Sequence, residues 1–312
     1  MISRRNIRIK VMQCLYAVET ESGGLTEEKA VGLLKKYLEH TADLFTFMVY
    51  LLTEVARYAE IDAKNKASKH LPSAEDLNVN TKISGNTLLW KILEQTSFQQ
   101  AVKNRNLSAI LDEEIVRKIY SKLLDADIYR TYINQESREK KTEKELLSFI
   151  FTDLIMADEA ITEYIEDHFV QWDDDCEMIF QMVLNYLSKP VAYDFKQIVG
   201  IEKTNYAISL LKTAIEKKDH TMELIIPKLK NWDSDRIALL DMIMIRLGIC
   251  ELLYFETIPA KVTLNEYIDI AKSYSTTQSG HFVNGIMDSI HKDLFNEGRL
   301  KKVDFKKLGG IN

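Results

Sequence analysis

Apolar side chains return every three or four positions along most of this chain, the spacing that gives a helix a single apolar stripe. The pattern predicts helices over residues 30–40, 43–63, 89–101, 113–124, 143–165 and 207–217. Polar breaks separate them at residues 21–24, 71–86, 134–142, around Pro190, and at Pro227 and Pro259. The stretch 71–86 is rich in Ser, Asn, Thr and Gly and reads as a long mobile loop. With only 4 Pro and 11 Gly in 312 residues, the fold class is all-α.

The first sixteen residues also read as a helix. Ile7, Val11, Cys14 and Leu15 form its apolar stripe, and Arg4, Arg5 and Arg8 lie largely off it, with Lys10 adding a fourth cation and no acid before Glu19. Such a face suits a polyanion, because guanidinium groups fork onto phosphate oxygens and stack on bases. An ordinary solvated basic helix start would look the same. The whole chain is acidic, with 41 Lys and Arg against 47 Asp and Glu and a net charge of -6, so any nucleic-acid contact must come from a local patch.

Other chemistry is sparse. The 3 cysteines are far apart and form no Cys-x-x-Cys pair, which predicts neither disulfides nor a zinc knuckle and fits a reducing cytoplasm. No apolar run reaches a membrane span, and the start lacks a signal-peptide core. The histidines include no metal-binding pair, the acids Asp173, Asp174, Asp175 and Glu177 lack the glycine and spacing of a calcium loop, and no phosphate loop or nucleophile elbow occurs. These observations predict no cofactor, no metal and no enzyme. Segments 163–184 and 223–244 echo each other at Trp172 and Trp232, which we read as a shared helix-end solution. Asn284 and Gly285 read as packing residues, and Glu251 and Glu266 as buried hydrogen-bond partners.

The two ends of the chain carry longer words. Arg4-Arg5-x-x-Arg8-x-x-x-x-Gln13-x-Leu15-Tyr16 opens it; Cys250 to Ser275 (CELLYFETIPAKVTLNEYIDIAKSYS) and Ser279 to Asp288 (SGHFVNGIMD) come near the other end. Together they resemble the NusB family of bacterial transcription antitermination factors, over about residues 1–20 and 200–292.

The resemblance implies a non-enzymatic, all-helical protein of two small subdomains. It would bind single-stranded boxA-type RNA of ribosomal RNA operons together with a small-subunit ribosomal protein, NusE, within an RNA polymerase antitermination complex in the cytoplasm. Carried over by position, Arg4, Arg5 and Arg8 would contact RNA, and Tyr274, Gln278, Ser279, His281 and Phe282 would form a second RNA-contacting turn, Phe282 offering a stacking ring. Tyr16 and Asp241 would face the ribosomal partner, although each also reads as an ordinary core or surface residue. The family often has an acid at Gln278 and a Lys at His281, so one charge of each sign is missing here.

The domain organisation expected is residues 1–69 as N-terminal NusB-like helices, 70–190 as an inserted helical segment packed on the N-terminal half, and 191–312 as a C-terminal subdomain with a basic tail. Two alternatives stand beside the antitermination reading. One is a helical adaptor that has lost RNA binding; the other is the front end of a ribosomal RNA cytosine methyltransferase, disfavoured because no cofactor domain follows in the sequence.

Overall fold

The computed structural model describes residues 2–21, 24–190, 193–229 and 237–303, and the described residues form helices and connecting turns without strands. Trp232, the second half of the internal echo, lies outside the described residues. The chain divides into two units, one of residues 1–2 and 39–200, the other of residues 3–38 and 201–312. By connectivity the long second helix belongs to both.

In the second unit, α1 (Arg4–Thr20) packs on α11 (Ile201–Glu216) and α13 (Leu239–Tyr254), and α13 on α14 (Ala260–Tyr274) and α15 (Thr277–Asn296). Ile7, Val11, Cys14 and Leu15 are all buried, so the apolar stripe read for α1 is its packing face. α13 is apolar almost all round and forms the centre of this unit, with Ile243, Met244, Ile245, Leu247, Ile249, Cys250 and Leu252 buried. Gly248 lets α15 approach: a β-carbon there would collide with Met287. Gly285, by contrast, is exposed with open space where its β-carbon would be, so the packing role expected of it belongs to Gly248. The end of the described chain is docked. Lys302 Nζ donates to the carbonyls of Glu251 and Phe255 at 2.9 Å each, closing the C-terminus of α13.

In the other unit, α2 (Glu27–Ala67) is one helix of 41 residues where the pattern suggested two, because the polar His40-Thr41-Ala42 contains no helix breaker. Phe45 on α2 meets Phe195 at 5.5 Å and Tyr186 of α10 (Trp172–Ser188) at 5.9 Å between ring centroids. Tyr58 meets Tyr120 of α6 (Glu113–Asp125) at 5.3 Å. Residues 71–86 are not a plain loop. Ser73 and Asp76 form a reciprocal capping box on a short helix, Ile83 and Ser84 are buried, and Lys82 Nζ donates to the Tyr132 carbonyl at 2.7 Å. The long helix read over 143–165 is interrupted. α8 (Lys140–Phe149) passes into a π-turn over Ile150–Ile155, and Asp158 then caps a new helix, α9 (Glu159–His168).

Among the described residues no helix is long and apolar enough to cross a membrane, and no group of three or more His, Cys, Asp or Glu side chains is placed to hold a metal ion. Burial pushes the Cys14 and Cys250 thiols up to about 12, which keeps both as protonated packing groups.

Candidate nucleic-acid interface

The site residues read from the sequence all fall in the unit of residues 3–38 and 201–312. Ser3 caps α1 by accepting from the Asn6 amide, and the first turn of that helix contains no acid. Arg4 and Arg5 therefore oppose the helix dipole, at a cost of roughly 0.3–1 kcal/mol each, which a bound anion would relieve.

Arg8 does not lie beside them on the surface. It is 1% exposed, because it stands seven residues before Leu15 and so shares the buried side of α1. Its Nε and Nη2 fork onto the two oxygens of Glu251 at 2.9 and 2.8 Å, and Nη1 reaches Glu266 at 3.4 Å. Glu251 is wholly buried and takes two further donors, Tyr206 Oη at 2.5 Å and Thr263 Oγ1 at 2.7 Å. Burial alone would lower the Arg8 pKa, but the hydrogen bonds and charge of Glu251 overcome it and hold the guanidinium above its usual range. The rings of Tyr206 and Tyr267 flank it at 6.0 and 5.9 Å. Expected as an RNA contact, Arg8 is instead one half of a buried bidentate ion pair that fixes α1 to α13.

That pair sets the position of what remains outside. Arg4 is exposed and lies 5.9 Å over the Tyr206 ring, the ring whose hydroxyl Glu251 holds. Arg5 is half-buried and donates Nη2 to Ser273 Oγ at 3.2 Å, one residue before Tyr274 at the end of α14. This bond joins the arginine-rich start to the second predicted cluster across 268 positions of sequence.

The polar turn read at residues 276–280 is mostly helix. Thr276 is the N-cap of α15 and accepts from the Ser279 amide at 3.2 Å. The Ser279 hydroxyl, 7% exposed, is engaged by Ser275 at 2.8 Å and Thr276 at 3.1 Å, so it serves the cap. Gln278 and His281 are exposed, Tyr274 is half-buried, and Phe282 is 5% exposed. The Phe282 ring is therefore core and offers no open stacking face; its position on the inner side of α15 follows from Val283 and Ile286 sharing that side. Gly280 lies against Lys272 Cγ, which a β-carbon would meet at 2.7 Å, bringing that lysine stem to the start of α15. Tyr206 was not signalled by the sequence, since it lies on an ordinary amphipathic helix far from both motifs.

Of the two partner-facing residues, Tyr16 is 44% exposed on α1. Asp241, in the first turn of α13, is 4% exposed, and its Oδ1 has no hydrogen-bond partner among the described residues. Nearby, Glu19 pairs with Arg246 of α13, a second polar tie between these helices.

Residues 171–292 match the family model described as the NusB family. The protein named transcription antitermination protein NusB in Salinibacter ruber is 42% identical over 105 residues, 34% of this chain and 66% of that protein. Its namesake in Methylacidiphilum infernorum is 49% identical over 83 residues, 27% of this chain and 58% of that one. The chain thus spans less than two thirds of the length of these two relatives. The namesake in Listeria monocytogenes serotype 4b is 35% identical over 114 residues, 36% of this chain and 88% of that protein. No solved structure matches the chain. With most of a relative's length aligned, and the family model running through the helices that carry Glu251 and the 274–282 cluster, the chain belongs to the NusB family.

Proposed function

We propose that this protein is an RNA-binding transcription antitermination factor that acts with the small-subunit ribosomal protein NusE on boxA-type RNA of ribosomal RNA operons, within an RNA polymerase antitermination complex. The observation that carries the reading is the Arg5 to Ser273 hydrogen bond, 3.2 Å, which places the cationic start of α1 beside the end of α14 and the start of α15. Arg4, Arg5, Gln278 and His281 supply cationic and hydrogen-bonding groups on that surface, Tyr274 supplies a half-buried ring, and Ser279, Phe282 and Arg8 hold its backbone in place from within. Single-stranded RNA is bound by such combinations of backbone charge, rings and polar groups. Tyr16 and the buried, underused carboxylate of Asp241 are proposed to face NusE. The role is binding, with no catalytic step assigned to any residue.

We also read residues 70–190 as a helical insertion into the family's plan. The helices α4 (Thr87–Leu93) to α9 precede the family match, which begins at residue 171 and so takes in α10 at the far end of this stretch.

The test is fluorescence anisotropy with a boxA-type oligoribonucleotide and a scrambled one, with and without the ribosomal protein. Selective binding that tightens with the partner supports the reading. Partner binding with no RNA binding at any salt overturns it in favour of a helical adaptor.

A further inference from the structure

The two units carry charge of opposite sign. Residues 39–200 hold 28 Asp and Glu against 18 Lys and Arg, whereas residues 3–38 and 201–312 hold 19 against 23. The acidity of the chain is therefore a property of the unit that contains none of the proposed RNA contacts. Within that unit it has one source: residues 145–188 contain 11 acids and no Lys or Arg.

The helices turn this run into a surface. On α9, Glu159, Glu163, Glu166 and Asp167 recur at i, i+4, i+7 and i+8 and form one exposed stripe, opposite the buried Ile161 and Ile165. Asp173 and Glu177 repeat the spacing at exposed positions of α10. Among the described residues none of these six is ion-paired; the cations that reach the run go to Asp158, from Lys122 and Lys118, and to Glu145, from Lys141. Elsewhere in the unit the acids are balanced, as Glu54 is by Arg57 at 2.8 Å, Asp62 by Lys66 at 2.7 Å and Glu114 by Arg117 at 2.8 Å. Local stability does not account for the stripe. Carboxylates four apart on a helix repel, and Glu166 and Asp167 lie in the last turn of α9, where the helix dipole disfavours negative charge.

We propose that the acidic stripe of α9 and the start of α10 is an RNA-excluding surface, which repels phosphate from residues 39–200 and so lowers affinity for RNA that lacks the recognised sequence. This rests on the RNA-binding reading above and gives the proposed insertion a part in selectivity. Phosphate contacts are independent of sequence, so a cationic unit alone attracts any RNA. An RNA held in one register by base contacts keeps away from the stripe, whereas one without them samples the surface and meets the repulsion. Exclusion is favoured over docking of a cationic protein because the ligand proposed for this chain is a polyanion, on which unpaired carboxylates act whether or not a further partner exists.

The experiment is anisotropy titration of a boxA-type oligoribonucleotide and a scrambled one of the same length, at low and at high salt, with three proteins. These are wild type, the stripe variant Glu159→Gln/Glu163→Gln/Glu166→Gln/Asp167→Asn, and a control with the same change of net charge, Glu113→Gln/Glu114→Gln/Asp125→Asn/Asp127→Asn. Asp158, which caps α9, is kept. At low salt the stripe variant is expected to bind the scrambled RNA several-fold tighter than wild type does, with a smaller gain for the boxA-type RNA and little change in the control. The gain disappears at high salt, since the screening length falls from about 30 Å at 0.01 M to about 8 Å at 0.15 M. The proposal is overturned if the stripe variant binds scrambled RNA as wild type does, if both RNAs gain equally, or if the control gains as much. Loss of ribosomal-protein binding with RNA binding unchanged would also overturn it and make the stripe a docking surface. Failure of wild type to bind either RNA at any salt would remove the RNA reading first, and this one with it.

Discussion

Arg4 and Arg8 stand one helical turn apart and do different work, and the difference is made by a carboxylate 243 positions from Arg8. Glu251 receives four donors in a fully buried site, so removing its charge strands the Arg8 guanidinium without compensation. Glu251→Gln is expected to cost about 3–5 kcal/mol in urea unfolding. A loss below about 1 kcal/mol would mean the pair is not the anchor described. Arg4→Gln, at the surface, is expected to leave stability within roughly 0.5 kcal/mol while weakening RNA binding, whereas Arg8→Gln acts chiefly on stability. The arginine-rich motif was legible in the sequence as a unit, and so was the buried role of Glu251. That one arginine of the motif turns inward was not, since it depends on a contact that only the folded chain creates.

At the scale of elements, the helices were legible where apolar spacing and composition agreed: α1 follows its stripe, and α6 spans Glu113–Asp125 where residues 113–124 were expected. They were misjudged where a local hydrogen bond decides. The split between α8 and α9 is made by Asp158, whose carboxylate accepts from the Ala160 and Ile161 amides at 3.0 and 3.3 Å and is salt-bridged to Lys122 and Lys118. A single Asp within an amphipathic run carries no such signal. Likewise Thr276 and Ser279 turn a stretch that reads as loop into the cap and first turn of α15. Burial works against the Asp158 charge, but Lys122, Lys118 and the Ile161 amide outweigh it and hold the carboxyl below its usual range. Its contribution is therefore complete above the ordinary carboxylate range and is lost as pH falls from there through the lowered pKa. Asp158→Ala is expected to cost about 1 kcal/mol near neutral pH, a difference from wild type that narrows as the carboxylate is protonated at acid pH. A pH-independent difference would assign the effect to helix propensity instead.

At the scale of the whole molecule, the proposed RNA binding by a chain of net charge -6 requires cations concentrated locally, and Arg4, Arg5 and Lys272 lie on the helices of one unit. The other unit depends on the proposed insertion for its core. Phe45, Phe47 and Tyr58 of α2 have ring partners at Tyr186, Phe169 and Tyr120, all within residues 70–190. Deleting that stretch is expected to give a protein that binds a hydrophobic dye and loses near-ultraviolet dichroism. A well-packed deletion variant would contradict the packing described. The central claim, that RNA lies across the joined ends of α1, α14 and α15, is tested most directly by photo-cross-linking a 4-thiouridine-substituted boxA-type RNA to the full chain and mapping the adducts by mass spectrometry. The account predicts adducts in the peptides that hold Arg4 and Arg5 and residues 274–281, lost in Arg4→Gln/Arg5→Gln. Adducts confined to residues 39–200, or no adducts with a natively folded protein, would contradict it.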